Sequence, residues 1–350
     1  MRYPHPLGPS QTIGVVAPSF GATTEPYISA TASAYKQFAQ RGYAVHEWSC
    51  VRASDGIGIS STPLRCAQEL MDAYCGSEDD VLISAGGGEL MNEVISHLDF
   101  ERLNVAQPKW FMGYSDNTNF GFLLPTLCDI ASLYAPCVSS FGMQPWHGAL
   151  EDAWEVFTTA QAGKTLRVHS YECWELDSHK DEQHPLVPYN TTEPSDILGF
   201  VQGVPEPTIA AQGRLFGGCL DILINLCGTR FDSVARFNER YASDGVIWFL
   251  EACDLGPLQV RRALWQLAEA GWFACARALV FGRPLRKFDQ AFGLTQEQAV
   301  LGACAELGIT VPVILNADIG HLPPMMPLVC GSVGDLRFED TSLHVTMTLI

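Results

Sequence analysis

A chain of 350 residues, 47% hydrophobic and 17% charged, holds about two domains of ~100–200 residues with sizeable cores, which excludes a disordered chain. Its 21 Lys+Arg stand against 39 Asp+Glu, a formal net charge of −18. That balance argues against a nucleic-acid partner, which needs a basic face, and against an anionic membrane surface, but permits a small anion held by one Arg and some backbone amides.

The opening segment, 1–12, is polar and Pro-rich and lacks the charged-then-apolar order of a signal peptide. No apolar run approaches the ~18–20 residues of a membrane span. The twelve cysteines are scattered without a C-x-x-C pair, and read as small buried hydrophobes in a reducing compartment. These features predict a cytoplasmic protein. His179 and His184, amid Asp177, Asp181 and Glu182, are the nearest approach to a metal cluster. They lie in a polar loop with no helical face to gather them, so neither metal nor cofactor is expected.

Apolar runs alternate with helical patterns, the mark of an α/β fold with a mostly parallel sheet. A strand at 12–17 stops at Pro18-Ser19. A helix over 29–41, a strand over 43–48 and a helix over 63–75 follow. The strand 81–84 leads into Gly86-Gly87-Gly88 and a helix over 89–98. The strand 109–113 leads into a helix over about 117–128. Between Tyr171 and Asp196 the pattern breaks, with seven acidic residues against one Lys and three prolines. The expected organisation is therefore an N-terminal α/β domain over 1–165, a connecting segment over 166–210 and a smaller C-terminal α/β domain over 211–350. In the last, Gly217-Gly218 opens a helix, strands cover 246–250, 278–281 and 313–316, and a helix covers 257–270.

Ligands of a parallel sheet bind beyond the carboxyl ends of its strands, so reactive side chains just past strand ends are the ones to examine. Ser115 follows the strand Trp110–Met112 on a tight turn, Gly113-Tyr114-Ser115-Asp116, before a helix. Such a turn projects the hydroxyl as in a nucleophile elbow, although Asn117 replaces the last glycine of G-x-S-x-G; a simple helix cap is the alternative. The glycines at 86–88 let backbone amides approach a ligand, as a phosphate cradle, one side of an oxyanion hole, or only a tight turn. Glu251 ends an apolar strand and needs a partner, either a functional one or a salt bridge to Arg261 or Arg262. His321 follows the strand 313–316 and precedes Pro323-Pro324. A nucleophile, a base and a carboxylate at three strand ends are the ingredients of Ser-His-Asp/Glu hydrolysis.

With those residues in view, the chain resembles the LD-carboxypeptidase family of serine peptidases, which includes murein tetrapeptide carboxypeptidases and microcin C immunity peptidases. The resemblance runs through Gly14–Ser19, Gly87-Gly88 with Asn92 and Leu98-Asp99, Gly113–Asp116, Gly217-Gly218 to Thr229, Ile247–Glu251, and Gly320-His321 with Pro327 and Gly331. It implies a Rossmann-like N-terminal domain carrying the nucleophile, and a catalytic set of Ser115, His321 and Glu251. It implies an oxyanion hole from the backbone amides of Asp116 and of Gly87 or Gly88. It implies a peptide or muropeptide substrate, no cofactor, and a homodimer. Three departures stand out: Cys219 in place of the family's Asn, Ala252 in place of Asp, and Asn117 with Asn119 in the nucleophile helix. The length and the 165–210 segment look more like the microcin-immunity branch, where an aromatic side chain stacks on a nucleotide-like group; Trp174 is the candidate, with ordinary packing as its alternative. The leading reading is an LD-carboxypeptidase acting on muropeptides. The alternatives are cleavage of a peptidyl or aminoacyl nucleotide, and a non-catalytic protein that binds an anion or nucleotide.

Overall fold

The computed structural model describes residues 1–55 and 58–350. Its strands are β1 (Thr12–Val16), β2 (Ala44–Glu47), β3 (Val81–Ser84), β4 (Phe111–Gly113), β5 (Ser132–Tyr134), β6 (Thr165–His169), β7 (Cys173–Glu175), β8 (Thr191–Pro194) and β9 (Leu198–Val201). They continue with β10 (Val204–Pro205), β11 (Thr208–Cys219), β12 (Val246–Glu251), β13 (Ala276–Gly282), β14 (Val313–Ala317), β15 (Leu328–Cys330), β16 (Val333–Glu339) and β17 (Ser342–Thr348).

The first sheet runs β15-β5-β4-β3-β1-β2, with β1 to β5 parallel and β15 antiparallel on β5. Its strand order reverses at β1, so the crevice beyond β1 and β3 is the place where a doubly wound sheet takes its ligands. The second sheet runs β10-β9-β14-β13-β12-β11-β16-β17-β6. Its centre, β11 to β14, is parallel, and antiparallel strands flank it on both sides. Strand membership crosses the expected boundaries. β6 joins the second sheet, β15 returns from far along the chain to the first, and β7 and β8 pair in a hairpin of their own.

The long helices fall where the periodicity puts them. Tyr27–Gln40, Pro63–Cys75 and Pro257–Glu269 each bury one apolar face. Thr62 caps the second by accepting from the Arg65 amide, with Pro63 at the first helical position. Two expected helices are broken up. The one over 89–98 shortens to Met91–Val94 and a tight turn at Ile95–His97, because Asp99 caps a new helix, Phe100–Val105, by accepting from the Arg102 amide. The one over 117–128 is regular only at Thr118–Leu123, then widens into a π turn at Leu124–Cys128. Pro125 has no amide hydrogen for the regular ladder. Gly217-Gly218 close β11 rather than open a helix, which starts at Leu220.

One apolar cluster joins the first sheet to one face of the second, through Leu215, Ile247, Phe249, Val280 and Ile314. The opposite face packs under the helices Leu220–Leu226 and Pro257–Glu269. The carboxyl ends of β4, β12 and β14 consequently face one another across the junction. No helix among the described residues is long and apolar enough to cross a membrane.

Candidate active site

Ser115 sits at the turn between β4 and the Thr118–Leu123 helix, with a φ of 62°, in the left-handed region that a serine adopts only when its surroundings impose it. Its hydroxyl lies 2.9 Å from Nε2 of His321, and Nδ1 of the same ring lies 2.9 Å from Oε2 of Glu251. An ionised carboxylate only accepts, so Nδ1–H donates to Glu251 and Nε2 is left to accept from the Ser115 hydroxyl. The three side chains come from the ends of β4, β14 and β12. Neither Arg261 nor Arg262 forms an ion pair with Glu251; the carboxylate is taken by His321 and by Tyr134, whose hydroxyl donates to Oε1 at 2.7 Å.

Burial alone would push the Glu251 carboxyl up, but the His321 imidazole and hydrogen bonds from His321, Tyr134 and Cys219 hold it below its ordinary value. Burial likewise works against a charged His321; the adjoining Glu251 carboxylate and the ring's hydrogen bonding to Cys253 and Glu251 outweigh it and hold the imidazole well above its usual range. The Glu251 carboxylate therefore favours the imidazolium, the form the ring would reach on taking a proton at Nε2, while the neutral ring is the form able to accept one.

The glycine loop closes the other side. A Cβ placed on Gly87 would lie 2.9 Å from the Ser115 hydroxyl and 4.0 Å from the Asp116 amide nitrogen. Only glycine leaves that space open for a reacting oxygen. Gly88 has a φ of 154°, and a Cβ there would collide with Ser19. The loop is braced by Phe20, whose amide donates to Gly87 O at 3.0 Å, and by Asn117, whose Nδ2 donates to Gly86 O at 2.8 Å. Asp116 turns its side chain away from Ser115. It is 1% exposed and accepts from Ser19 Oγ at 2.5 Å, the Met91 amide at 2.9 Å and Asn119 Nδ2 at 2.9 Å. Asn117 and Asn119, departures from the family pattern, thus hold the loop and the turn in place. Cys219 donates its amide to Thr118 Oγ1 at 3.0 Å and points its sulfur toward Asp221, while Ala252 is buried.

His321 is positioned by a buried ion pair that sequence reading missed. Arg283, fully buried, donates from Nη1 to Asp318 Oδ1 at 2.9 Å and from Nη2 to Asn316 O at 3.2 Å. Asp318 also accepts from the Tyr171 amide at 2.7 Å, three residues before His321. Among the described residues, Asp318→Ala would leave Arg283 only the longer ion pair with Asp196 Oδ1 at 3.3 Å, and removal of one partner of a buried pair costs about 3–5 kcal/mol. The expected result is a large fall in the midpoint of chemical denaturation; an unchanged midpoint would show that the pair contributes nothing.

Trp174 requires a correction. The expected ring-stacking residue is 3% exposed, its indole N–H donates to Pro194 O at 3.0 Å, and the Arg283 guanidinium lies 4.5 Å from its ring centre. That ring is occupied by packing and a cation–π contact and is not presented to a ligand. At the polar loop, His184 pairs with Asp181 at 3.0 Å, and among the described residues no group of three or more metal-ligating side chains is gathered.

Residues 13–135 match the LD-carboxypeptidase N-terminal domain and residues 212–336 the LD-carboxypeptidase C-terminal domain. A protein of Streptomyces coelicolor named as a carboxypeptidase is 25% identical over 290 residues, covering 78% of this chain and 80% of its own. A Bacillus subtilis protein named as a murein peptide carboxypeptidase is 22% identical, covering 94% of this chain and 89% of its own. Among solved structures, an MccF-like protein from Bacillus anthracis superposes with a TM-score of 0.80 at 20% identity over 100% of both chains. The microcin C7 self immunity protein MccF, in complex with aspartyl sulfamoyl adenosine, superposes with a TM-score of 0.80 at 21% identity over 99% of both chains. The structural matches establish the shared fold. With the two domain matches spanning well over half its length, the chain belongs to the LD-carboxypeptidase family of peptidases.

Proposed function

We propose that this chain is a serine carboxypeptidase that hydrolyses an amide bond near a peptide C-terminus, with muropeptides as its substrates. The observation that carries the reading is the relay from Ser115 Oγ through His321 to Glu251, with 2.9 Å at each step. Ser115 attacks the scissile carbonyl as His321 Nε2 takes its proton. Glu251 holds the ring and stabilises the imidazolium. The oxyanion rests on the amides of Asp116 and of Gly87 or Gly88. His321 then gives its proton to the leaving amine, and water, activated by the same ring, releases the acyl group from Ser115. No metal or cofactor takes part in this scheme. A homodimer and a cytoplasmic location belong to the same reading, the former tested by light scattering of the purified protein.

A second reading, cleavage of an aminoacyl nucleotide, is favoured by the superposition over 99% of the chain on a protein solved with aspartyl sulfamoyl adenosine. The buried Trp174 ring removes one support for it. The test is to incubate the protein with murein tetrapeptide and with aspartyl sulfamoyl adenosine and follow products by mass spectrometry. Loss of terminal D-alanine from the first supports the muropeptide reading; turnover of the second alone overturns it in favour of the nucleotide.

The charge balance of the relay sets the pH dependence. Catalysis needs neutral His321, so kcat/KM should rise with pH and level off as the ring loses its proton. Because Glu251 favours the imidazolium, the midpoint should lie above the usual histidine value of about 6.5. Glu251→Gln removes the charge that favours the proton, so its midpoint should fall along with kcat. A pH–rate profile with the same midpoint in both proteins would remove Glu251 from its assigned role.

A further inference from the structure

The acidic stretch between Tyr171 and Asp196 contains one basic side chain, Lys180. Every residue of 176–184 is exposed except Lys180, which alone turns inward. The loop is fastened at both ends above the site. On one side the Glu175 amide donates to Pro323 O at 2.7 Å, in the His321 loop. On the other, the Gln144 amide donates to Leu186 O at 2.8 Å, in the segment that follows β5. β5 is the neighbour of β4, which delivers Ser115. The loop therefore spans from the histidine to the rim beside the serine, and Lys180 hangs from its middle.

Its ammonium is poorly satisfied there. Nζ lies 3.5 Å from Ser139 O and 6.0 Å from the centre of the Tyr27 ring. Among the described residues no carboxylate lies within 4.0 Å of it. Glu175, the acid that acts on it from further away, already accepts from the Asn190 amide. Ser139 is two residues beyond Cys137, whose sulfur lies 3.7 Å from Asn117 Nδ2, and Asn117 is two residues beyond Ser115. Three N–H donors with one long bond leave a half-buried cation short of the partner that would offset its desolvation.

We propose that Lys180 anchors the free carboxylate of the substrate's last residue and so determines that the enzyme cuts at a chain end. The assignment rests on the carboxypeptidase reading. Such an enzyme must tell a terminal residue from an internal one, and the free carboxylate is the group that differs. An ammonium hung from a loop tied to the His321 loop at one end, and resting on Ser139 O, is of the charge to meet that group, while the acidic loop around it repels the anion from neighbouring positions.

The test compares murein tetrapeptide with a free terminal carboxylate and the same peptide as its C-terminal amide. Wild type should favour the acid by roughly 10- to 100-fold in kcat/KM, the worth of one charge-assisted hydrogen bond. Lys180→Met should reduce that preference to within about threefold, chiefly through KM, and Lys180→Arg should retain most of it. Equal preference in wild type and Lys180→Met overturns the assignment, and so does a wild type indifferent to the two forms. If wild type cleaves neither form, the carboxypeptidase reading itself falls. Retained kcat in Lys180→Met separates the expected outcome from a damaged fold.

Discussion

His321→Ala should lower kcat by roughly ten-thousand-fold while leaving the protein folded. The imidazole links the Ser115 hydroxyl to the Glu251 carboxylate, at 2.9 Å on each side. Without it the serine hydroxyl has no acceptor for its proton, and a neutral alcohol is a weak nucleophile. The His321 side chain is 14% exposed, at the edge of the cleft, so its removal leaves no sealed core cavity. Steady-state kinetics beside a thermal melt check both halves of the expectation. A kcat within tenfold of wild type would show that the proton leaves Ser115 by another route.

The second large effect belongs to a residue with no reactive side chain. Gly320 has a φ of 104°, and a Cβ there would lie 2.6 Å from Glu251 Oε2 and 2.9 Å from its Cβ. Gly320→Ala thus adds backbone strain and pushes the carboxylate away from His321. Misplacement of a catalytic group by about 1 Å costs on the order of a hundredfold. We expect kcat to fall by about that factor or more, with Tm lowered as well, since Glu251 is buried and has little room to retreat. A kinetically silent Gly320→Ala would mean that contact between Gly320 and Glu251 is not needed to hold the relay.

Ser115, Glu251 and His321 were legible because each follows a short apolar strand, and the rule about carboxyl ends selects such positions without knowing the tertiary fold. Their meeting was not legible from local pattern, because Glu251 and His321 lie on a different sheet from Ser115. Tyr134 escaped because β5 is three residues long, too short to show a period. β15 escaped for the same reason. The Arg283–Asp318 pair escaped because its partners are separated by 35 positions and announce themselves only through burial. Trp174 was misjudged for a related cause. A tryptophan in a polar stretch reads as available, yet the guanidinium that covers it comes from beyond β13. Gly217-Gly218 were read as a helix start because a helix does follow; their φ values of 154° and 147° instead let β11 end against Phe249 and Thr118.

The most direct test of the account is the turnover of Ser115→Ala beside wild type, on whichever of murein tetrapeptide and aspartyl sulfamoyl adenosine wild type cleaves. The prediction is a loss of roughly ten-thousand-fold or more in kcat with substrate still bound, because the alanine removes the attacking oxygen and leaves the cleft intact. Equal turnover by wild type and Ser115→Ala would contradict it.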